Sequence, residues 1–589
     1  MKKSKLAPKD RALNTLSARP TRQAVKELIK ARVKTLADLA KVKRKIAKKY
    51  KTFCLANVEL LKAYHKLLKG KRIKENKILE ELLRIRRVRS LSGIAVISVL
   101  TKPYPCPGHC LYCPTQDGIP KSYLDNEPAV MRAILNKFDP YLQVKTRLKS
   151  LKLTGHPTDK IELIVIGGTW SYLPRKYQAW FVKRCFDACN KYVSKNLERA
   201  QKINERAKHR IIGITLETRP DYINKKEIER MRKLGATRVE MGVQSLYDNV
   251  LKINQRDHKV ETVIKATKLL KDAGFKICYH MMPNLPGSDL KKDKKMFQEL
   301  FSNPDFQPDL LKIYPCVVLK EAQLYKLWQV GQYKPYNIHQ LIKLLKNIKK
   351  RIPYYCRIQR LIRDIPSQSI IAGCKTSNLR QIIFKDMKKE GWKCRCIRCR
   401  EIREAYDPKT KLYLFRKDYD ASGGKEIFLS YEEKNRKKLY SLLRLRIPSC
   451  VPPSSKTTEG YSKTSEGRPS QKHFLPVLQN AAIIREVHTY GQLVPISESK
   501  TAPQHRGLGK KLIKTAEKIV YTEFGRSAKN EFGFRPHTKR RQDTKISKIS
   551  PRYGVVGVKK IAVISGVGVR NYWRKLGYQL ENDYMVKNL

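Results

Sequence analysis

The 589-residue chain is poor in acid, with 52 Asp+Glu against 126 Lys+Arg and a formal net charge of +74. Self-repulsion on that scale opposes compaction unless a polyanion offsets it, and nucleic acid is the polyanion that releases counterions from Lys and Arg on binding. A generally basic or ribosome-associated chain is the bland alternative. The sequence also lacks any run of 18 apolar residues, which excludes a membrane-spanning helix. Its opening stretch, MKKSKLAPKDRALNTLS, has no apolar core of a secretory signal. No repeat of fixed period is present. Low acidity does not mean low hydrophobicity: at 41% apolar residues the chain can bury sizeable cores, and its length suggests about three or four domains.

The fourteen cysteines are unevenly spread, with tight groups at 106–113 and 394–399. Such clusters point to metal rather than disulfides, and hence to a reducing cytoplasm.

Residues 1–90 carry 29 Lys+Arg against 7 Asp+Glu, with apolar residues at helical spacing such as Val25, Leu28, Ile29 and Val33. A small basic helical region able to hold nucleic acid is expected there. From 91 to 370 short apolar strands alternate with amphipathic helices. Ile94–Leu100, Ile161–Ile166, Ile211–Leu216, Arg238–Gly242, Phe275–Tyr279 and Leu311–Tyr314 are the expected strands. Six such units predict a partial (β/α)6 barrel with its chemistry at the C-terminal strand ends. Residues 371–439 are a Cys-containing connector. Residues 440–589 read as a further α/β domain with insertions near 450–472, rich in Pro, Ser, Thr and Gly, and near 525–553, with 9 Lys+Arg against 2 Asp+Glu.

Cys106, Cys110 and Cys113 follow the first strand in CPGHCLYCP. Three thiolates on one loop can hold three irons of a [4Fe-4S] cluster and leave the fourth open for S-adenosylmethionine. Zinc with His109 as a further ligand, or an incomplete disulfide, is the competing reading. The position at a barrel mouth favours the cluster.

The barrel motifs EPAVMRA, FDPYLQVKTRL, IELIVIGGTW, GITLETRPDY, RVEMGVQS, HMMPNLPG and RIQRLIRDIP resemble the radical S-adenosylmethionine (SAM) catalytic subunit of the Elongator complex and its stand-alone bacterial and archaeal relatives. The resemblance extends over residues 90–589. It implies that Gly167 and Gly168 contact the methionine part of SAM, and that Glu217, Arg219, Gln244 and His280 line the same cavity. Satisfied structural polar residues are the alternative for each.

Gln504, His505, Arg506, Gly507, Leu508 and Gly509 form a Q-x-x-G-x-G run that opens a helix. Glycines let a backbone approach a diphosphate, and a helix N-terminus offers free N–H groups. The flanking AAIIREVHTYG and IAVISGVGVRNYWRKLGYQLENDYMVK give the order of a GNAT-type acetyltransferase domain binding acetyl-CoA. The resemblance implies a functional tyrosine at Tyr572; the second tyrosine common beside it is Trp573 here, which has no hydroxyl. Cys394, Cys396 and Cys399 in CRCIRCRE predict a zinc site, with Cys374, Cys450 or a histidine as the fourth ligand.

In the resembled family a deoxyadenosyl radical abstracts hydrogen from the acetyl methyl group. The resulting carbon adds to the 5 position of the wobble uridine in the tRNA anticodon loop, and thioester hydrolysis leaves carboxymethyluridine. An electron donor is implied; its identity and any homodimer stay open. Two further readings are a protein lysine acetyltransferase, with Glu486 or His488 as base, and a tRNA-binding scaffold without catalysis.

Overall fold

The computed structural model describes residues 18–50, 54–85, 92–403, 407, 409–448, 473–491, 507–525 and 557–589. Four N-terminal helices, Ala18–Lys30, Leu36–Lys49, Asn57–Lys69 and Lys77–Leu83, pack around a core of their own. Val25, Leu28 and Val33 are buried in it, and Ile29 packs against its edge. Thr35 caps the second helix with a capping box, which fixes the turn before it. The bundle is fastened to the barrel at its end: Arg84 Nε donates to Gly155 O at 2.7 Å, and His156 Nε2 lies 2.9 Å from Ile85 O.

A parallel sheet follows: β1 (Ala95–Leu100), β2 (Lys160–Ile166), β3 (Arg210–Thr218), β4 (Ala236–Gln244), β5 (Lys276–Met281) and β6 (Leu310–Ile313). All six expected strands are present. A two-stranded antiparallel patch joins β7 (Val318–Leu319) to β9 (Ile370–Ala372). The sheet order is β1-β2-β3-β4-β5-β6-β8, so the six-unit barrel gains a seventh parallel strand, β8 (Arg357–Arg360). Its four residues, RIQR, carry no apolar run, and their pairing with β6 is decided by tertiary contact rather than by local pattern.

The second sheet has the order β10-β11-β12-β13-β14-β16-β15. Its strands are β10 (Tyr413–Ala421), β11 (Gly424–Glu432), β12 (Leu439–Ile447), β13 (Ala481–Thr489), β14 (Lys560–Val563), β15 (Gln579–Glu581) and β16 (Tyr584–Asn588). It therefore begins at Tyr413, inside the segment expected to be connector. β10 and β11 form a hairpin whose charge-rich outer face masks the strand alternation. Only β13 and β14 run parallel, and the helix Leu508–Ile519 lies between them in the chain. β13 pairs with β12 as far as Thr489 but with β14 only as far as Ile484, so the two parallel strands part beyond that point. The loop 450–472 and the insertion 526–553 lie outside the described residues.

Buried charge joins the two sheets. Arg485 of β13 donates to Asp309 Oδ2 at 2.5 Å and to both oxygens of Glu426 at 2.9 Å. Arg446 reaches Asp272 at 2.6 Å, and Glu486 bridges Arg444 at 2.9 Å and Lys276 at 3.2 Å. Each arginine is fully enclosed. A buried charge is tolerated only with a partner and satisfied hydrogen bonds, so this pattern fixes one orientation between barrel and second sheet.

Candidate active site

The loop after β1 carries Cys106, Cys110 and Cys113 at the C-terminal end of the parallel sheet. Cys113 N–H donates to Cys110 O at 3.0 Å, which folds the triad into a tight turn. Arg256 Nη1 donates to Cys110 Sγ at 3.4 Å. Burial pushes the Cys113 thiol up to about 12. A thiol so placed keeps its proton unless a cationic centre displaces it, the behaviour of a metal or cluster ligand. His109 is exposed.

Arg219 braces this loop. It donates to Asp221 at 3.0 and 2.9 Å and to Asp257 at 2.9 Å. Its Nη1 is buried and without a hydrogen-bond partner among the described residues. Gly167 and Gly168, after β2, have φ of 131° and 95°. A methyl group on Gly167 would lie 2.1 Å from Thr101 Oγ1, so only glycine fits; at Gly168 nothing comes nearer than 3.7 Å, which leaves an open cradle. Gln244 ends β4 at φ 71°, its Oε1 likewise buried and unpartnered. Orphaned polar atoms and an open glycine at the ends of neighbouring strands suit a polar ligand.

Glu217 accepts from Tyr123 at 2.9 Å and lies 3.6 Å from His280 Nδ1. His280 Nε2 lies 3.1 Å from Glu240, which also meets the Lys312 ammonium. Burial alone would raise the Glu240 carboxyl, but Lys312, His280 and Arg238 outweigh it and hold Glu240 well below its ordinary range. Glu240, Cys278 and His280 have the spacing of metal ligands, yet Lys312 already neutralises the carboxylate.

Tyr123, Glu217, Gln244, His280 and Lys312 line a cavity of about 850 Å3, while the three loop cysteines, Gly167, Gly168 and Arg219 lie outside its lining. It extends from Tyr123 and Gln244, past Ser98, Glu162 and Lys312 between the strands, to Val487, Val563 and Trp573 of the second sheet. Near its far end Gly507 starts the helix Leu508–Ile519 at φ 68°, and Leu508 is buried. A methyl group on Gly509 would stand 3.8 Å from the Tyr572 hydroxyl and 3.5 Å from Thr489 Oγ1. Tyr572 is half-buried, and burial raises its pKa. Gln504, His505 and Arg506 lie outside the described residues.

Residues 104–300 match the Radical SAM superfamily and residues 308–389 the Radical SAM C-terminal domain. A tRNA uridine(34) acetyltransferase of Methanocaldococcus infernus is 44% identical over 538 residues, 89% of this chain and 91% of that protein. The human Elongator complex protein 3 is 37% identical over 100% of this chain and 99% of its own length. This chain belongs to the Elongator complex protein 3 family. A solved structure of the Methanocaldococcus infernus member of the Elongator complex protein 3 family, with an N-terminal deletion, aligns at a TM-score of 0.66 and 41% identity, over 85% of this chain and 100% of that one.

As in a radical SAM half-barrel, the thiol triad of this Elongator complex protein 3 relative sits at the mouth. A second thiol group lies outside it. The sulfurs of Cys394, Cys396 and Cys399 fall within 4.8 Å of one another, and Lys349 Nζ approaches Cys399 Sγ at 3.6 Å. Among the described residues no fourth ligand joins them: Cys374 is buried but lies outside the group, and Cys450 is not among the described residues.

Sequence reasoning missed Arg256, Tyr123, Glu240 and Lys312. The charged positions on β4 and β6 had a signal: Arg238, Glu240 and Lys312 interrupt otherwise apolar strands on one face, where only a lined interior tolerates charge. Arg256 and Tyr123 come from loops and had none. Glu486 and His488, weighed above as bases, belong to the joint instead. Burial would raise Glu486, but Lys276 and Arg444 hold its carboxyl far below the usual range; His488 Nε2 lies 2.9 Å from Ser92 O and its ring stacks on Tyr490.

Proposed function

We propose that this enzyme modifies the wobble uridine of tRNA, transferring the acetyl group of acetyl-CoA to the 5 position in a radical SAM-dependent reaction that gives 5-carboxymethyluridine. The observation that carries this reading is the cavity that runs from Glu217, Gln244 and His280 of the barrel to Val487, Val563 and Trp573 of the second sheet. The names of the relatives, tRNA uridine(34) acetyltransferase among them, agree with it.

Cys106, Cys110 and Cys113 would hold the [4Fe-4S] cluster. Gly167, Gly168, Glu217, Arg219, Gln244 and His280 would hold SAM. Together these groups supply one-electron chemistry able to take a hydrogen atom from an unactivated carbon. The chain does the rest. Arg256 places positive charge on the Cys110 sulfur. The Glu217–His280–Glu240–Lys312 array fixes polar groups inside the barrel. Gly507 and Gly509 let the backbone come close to the diphosphate of acetyl-CoA in a GNAT-type fold, with Leu508 and the run Gln504–Arg506 beside them. Tyr572, kept protonated by burial, can donate to the thioester carbonyl. The free cysteines among the described residues fit a reducing compartment such as the cytoplasm.

The test is mass spectrometry of tRNA nucleosides after anaerobic incubation with acetyl-CoA, SAM and a reductant. Carboxymethyluridine should appear with the wild type and fall sharply in Tyr572→Phe. Acetylation of lysine-rich protein without any nucleoside product would overturn the reading. A plain lysine acetyltransferase is disfavoured at Glu486, whose carboxylate is tied up by Arg444 and Lys276.

A further inference from the structure

Three adjacent loops at the C-terminal ends of β1, β2 and β3 each present a tyrosine. Tyr104 precedes Cys106 by two residues. Tyr172 closes the turn Trp170–Tyr172 after Gly167 and Gly168, and Tyr222 closes the turn Pro220–Tyr222 after Arg219. The rings form a ladder. Tyr104 and Tyr172 have centroids 6.0 Å apart at 62°, and Tyr172 and Tyr222 5.9 Å apart at 81°. Its inner end meets Arg219, whose guanidinium lies 6.0 Å from the Tyr222 ring. At its outer end Tyr104 is 37% and Tyr172 42% exposed. Exposed cations, Lys102 before the ladder and Arg175 and Lys176 after it, flank the rings in the chain.

Large aromatic rings left open to water beside cations are unusual on a soluble surface, and the pairing matches what unpaired nucleobases need. Bases stack on tyrosine faces, and phosphates find the neighbouring Lys and Arg. Each edge-to-face contact covers one ring face with its neighbour's edge and leaves the rest unstacked, and Tyr104 and Tyr172 keep ring surface open to water. We infer that Tyr104 and Tyr172 form a stacking subsite for unpaired bases of the RNA substrate, on the loops that carry Cys106 and follow Gly167 and Gly168. This rests on the RNA reading above and deepens it. An acidic protein would also be drawn to Lys102, Arg175 and Lys176, but it has no use for open ring faces.

The test uses the full chain and a fluorescently labelled anticodon stem–loop RNA. Tyr104→Ala with Tyr172→Ala should weaken binding roughly tenfold or more, the usual effect of losing base stacking. The slope of log affinity against log salt should not change, because no phosphate contact is removed. Tyr104→Phe with Tyr172→Phe should keep the affinity, since the ring and not the hydroxyl stacks; this pair also keeps the test valid if the alanine variant folds poorly. Unchanged affinity in a folded alanine variant overturns the subsite, as does a variant that keeps its RNA affinity but is reduced more slowly by a flavodoxin-type protein, which would make the ladder a protein dock. If the wild type itself fails to bind the stem–loop, the RNA reading falls, not the ladder alone.

Discussion

The Arg219 guanidinium is packed on Gly108 so tightly that a methyl group at residue 108 would lie 2.2 Å from Nη1. The arginine end is not free to swing aside, because Asp221 and Asp257 hold it and it is buried. In Gly108→Ala either the arginine or the cysteine loop must shift. Since a displacement near 1 Å can cost about 10²-fold in rate, deoxyadenosine formation should fall by roughly that factor while the protein stays folded by circular dichroism. Wild-type rates in this variant would show that Arg219 does not set the loop.

Glu486 gives the joint a pH dependence. Its folded pKa lies below the ordinary 4.5, because Lys276 and Arg444 outweigh its burial. A depressed carboxylate contributes stability that is complete above pH 4.5 and is lost as pH falls toward the folded value. Glu486→Gln leaves Arg444 short of a partner and should cost about 3–5 kcal/mol at pH 7. The gap from wild type should narrow as pH drops below 4.5, where Glu486 takes up a proton in the unfolded chain while the folded carboxylate stays ionised. Denaturant unfolding at pH 7, 5 and 4 measures it; a gap that widens in acid would contradict the pairing.

The barrel was legible because its strands are short, mostly apolar runs separated by amphipathic helices, so Ile161–Ile166 and Leu311–Tyr314 announce themselves. The short, basic β8 and the hairpin of β10 and β11 were not, since their residues are placed by partners distant in the chain. The same division holds at the site. Cysteines and glycines declare their chemistry by type and spacing, and Cys106, Cys110, Cys113, Gly167 and Gly168 stand together at the sheet's C-terminal edge. Arg256 and Tyr123 look like any surface residue until the fold brings them to Cys110 and Glu217.

The group of Cys394, Cys396 and Cys399 should hold one zinc per chain, measurable by elemental analysis. Cys396→Ser should lose the metal and lower the thermal midpoint, because thiolates crowded within 4.8 Å repel one another without a cation. Iron cofactor content at Cys106, Cys110 and Cys113 should be unaffected. A metal-free wild type with an unchanged midpoint in the variant would dismiss the site.

Removing residues 1–85 deletes a helical bundle with its own core and most of the basic N-terminal segment. tRNA binding should weaken, and each lost phosphate contact should take about 0.7–0.9 from the salt slope. Filter binding between 50 and 200 mM salt, roughly the range where such contacts are lost, reads the effect. An unchanged slope would move the phosphate contacts elsewhere.

The arginines of the joint bear on how such a chain can be inherited. Arg444, Arg446 and Arg485 sit on the second sheet, while Asp272 and Asp309 sit on the barrel. A recombinant that took its barrel from one ancestor and its second sheet from another would need matching charges at several positions at once, or bury arginines with no counter-ion. Gene shuffling therefore cannot treat the two halves as cassettes. A swap of either half would have to carry matching charges at the seam with it.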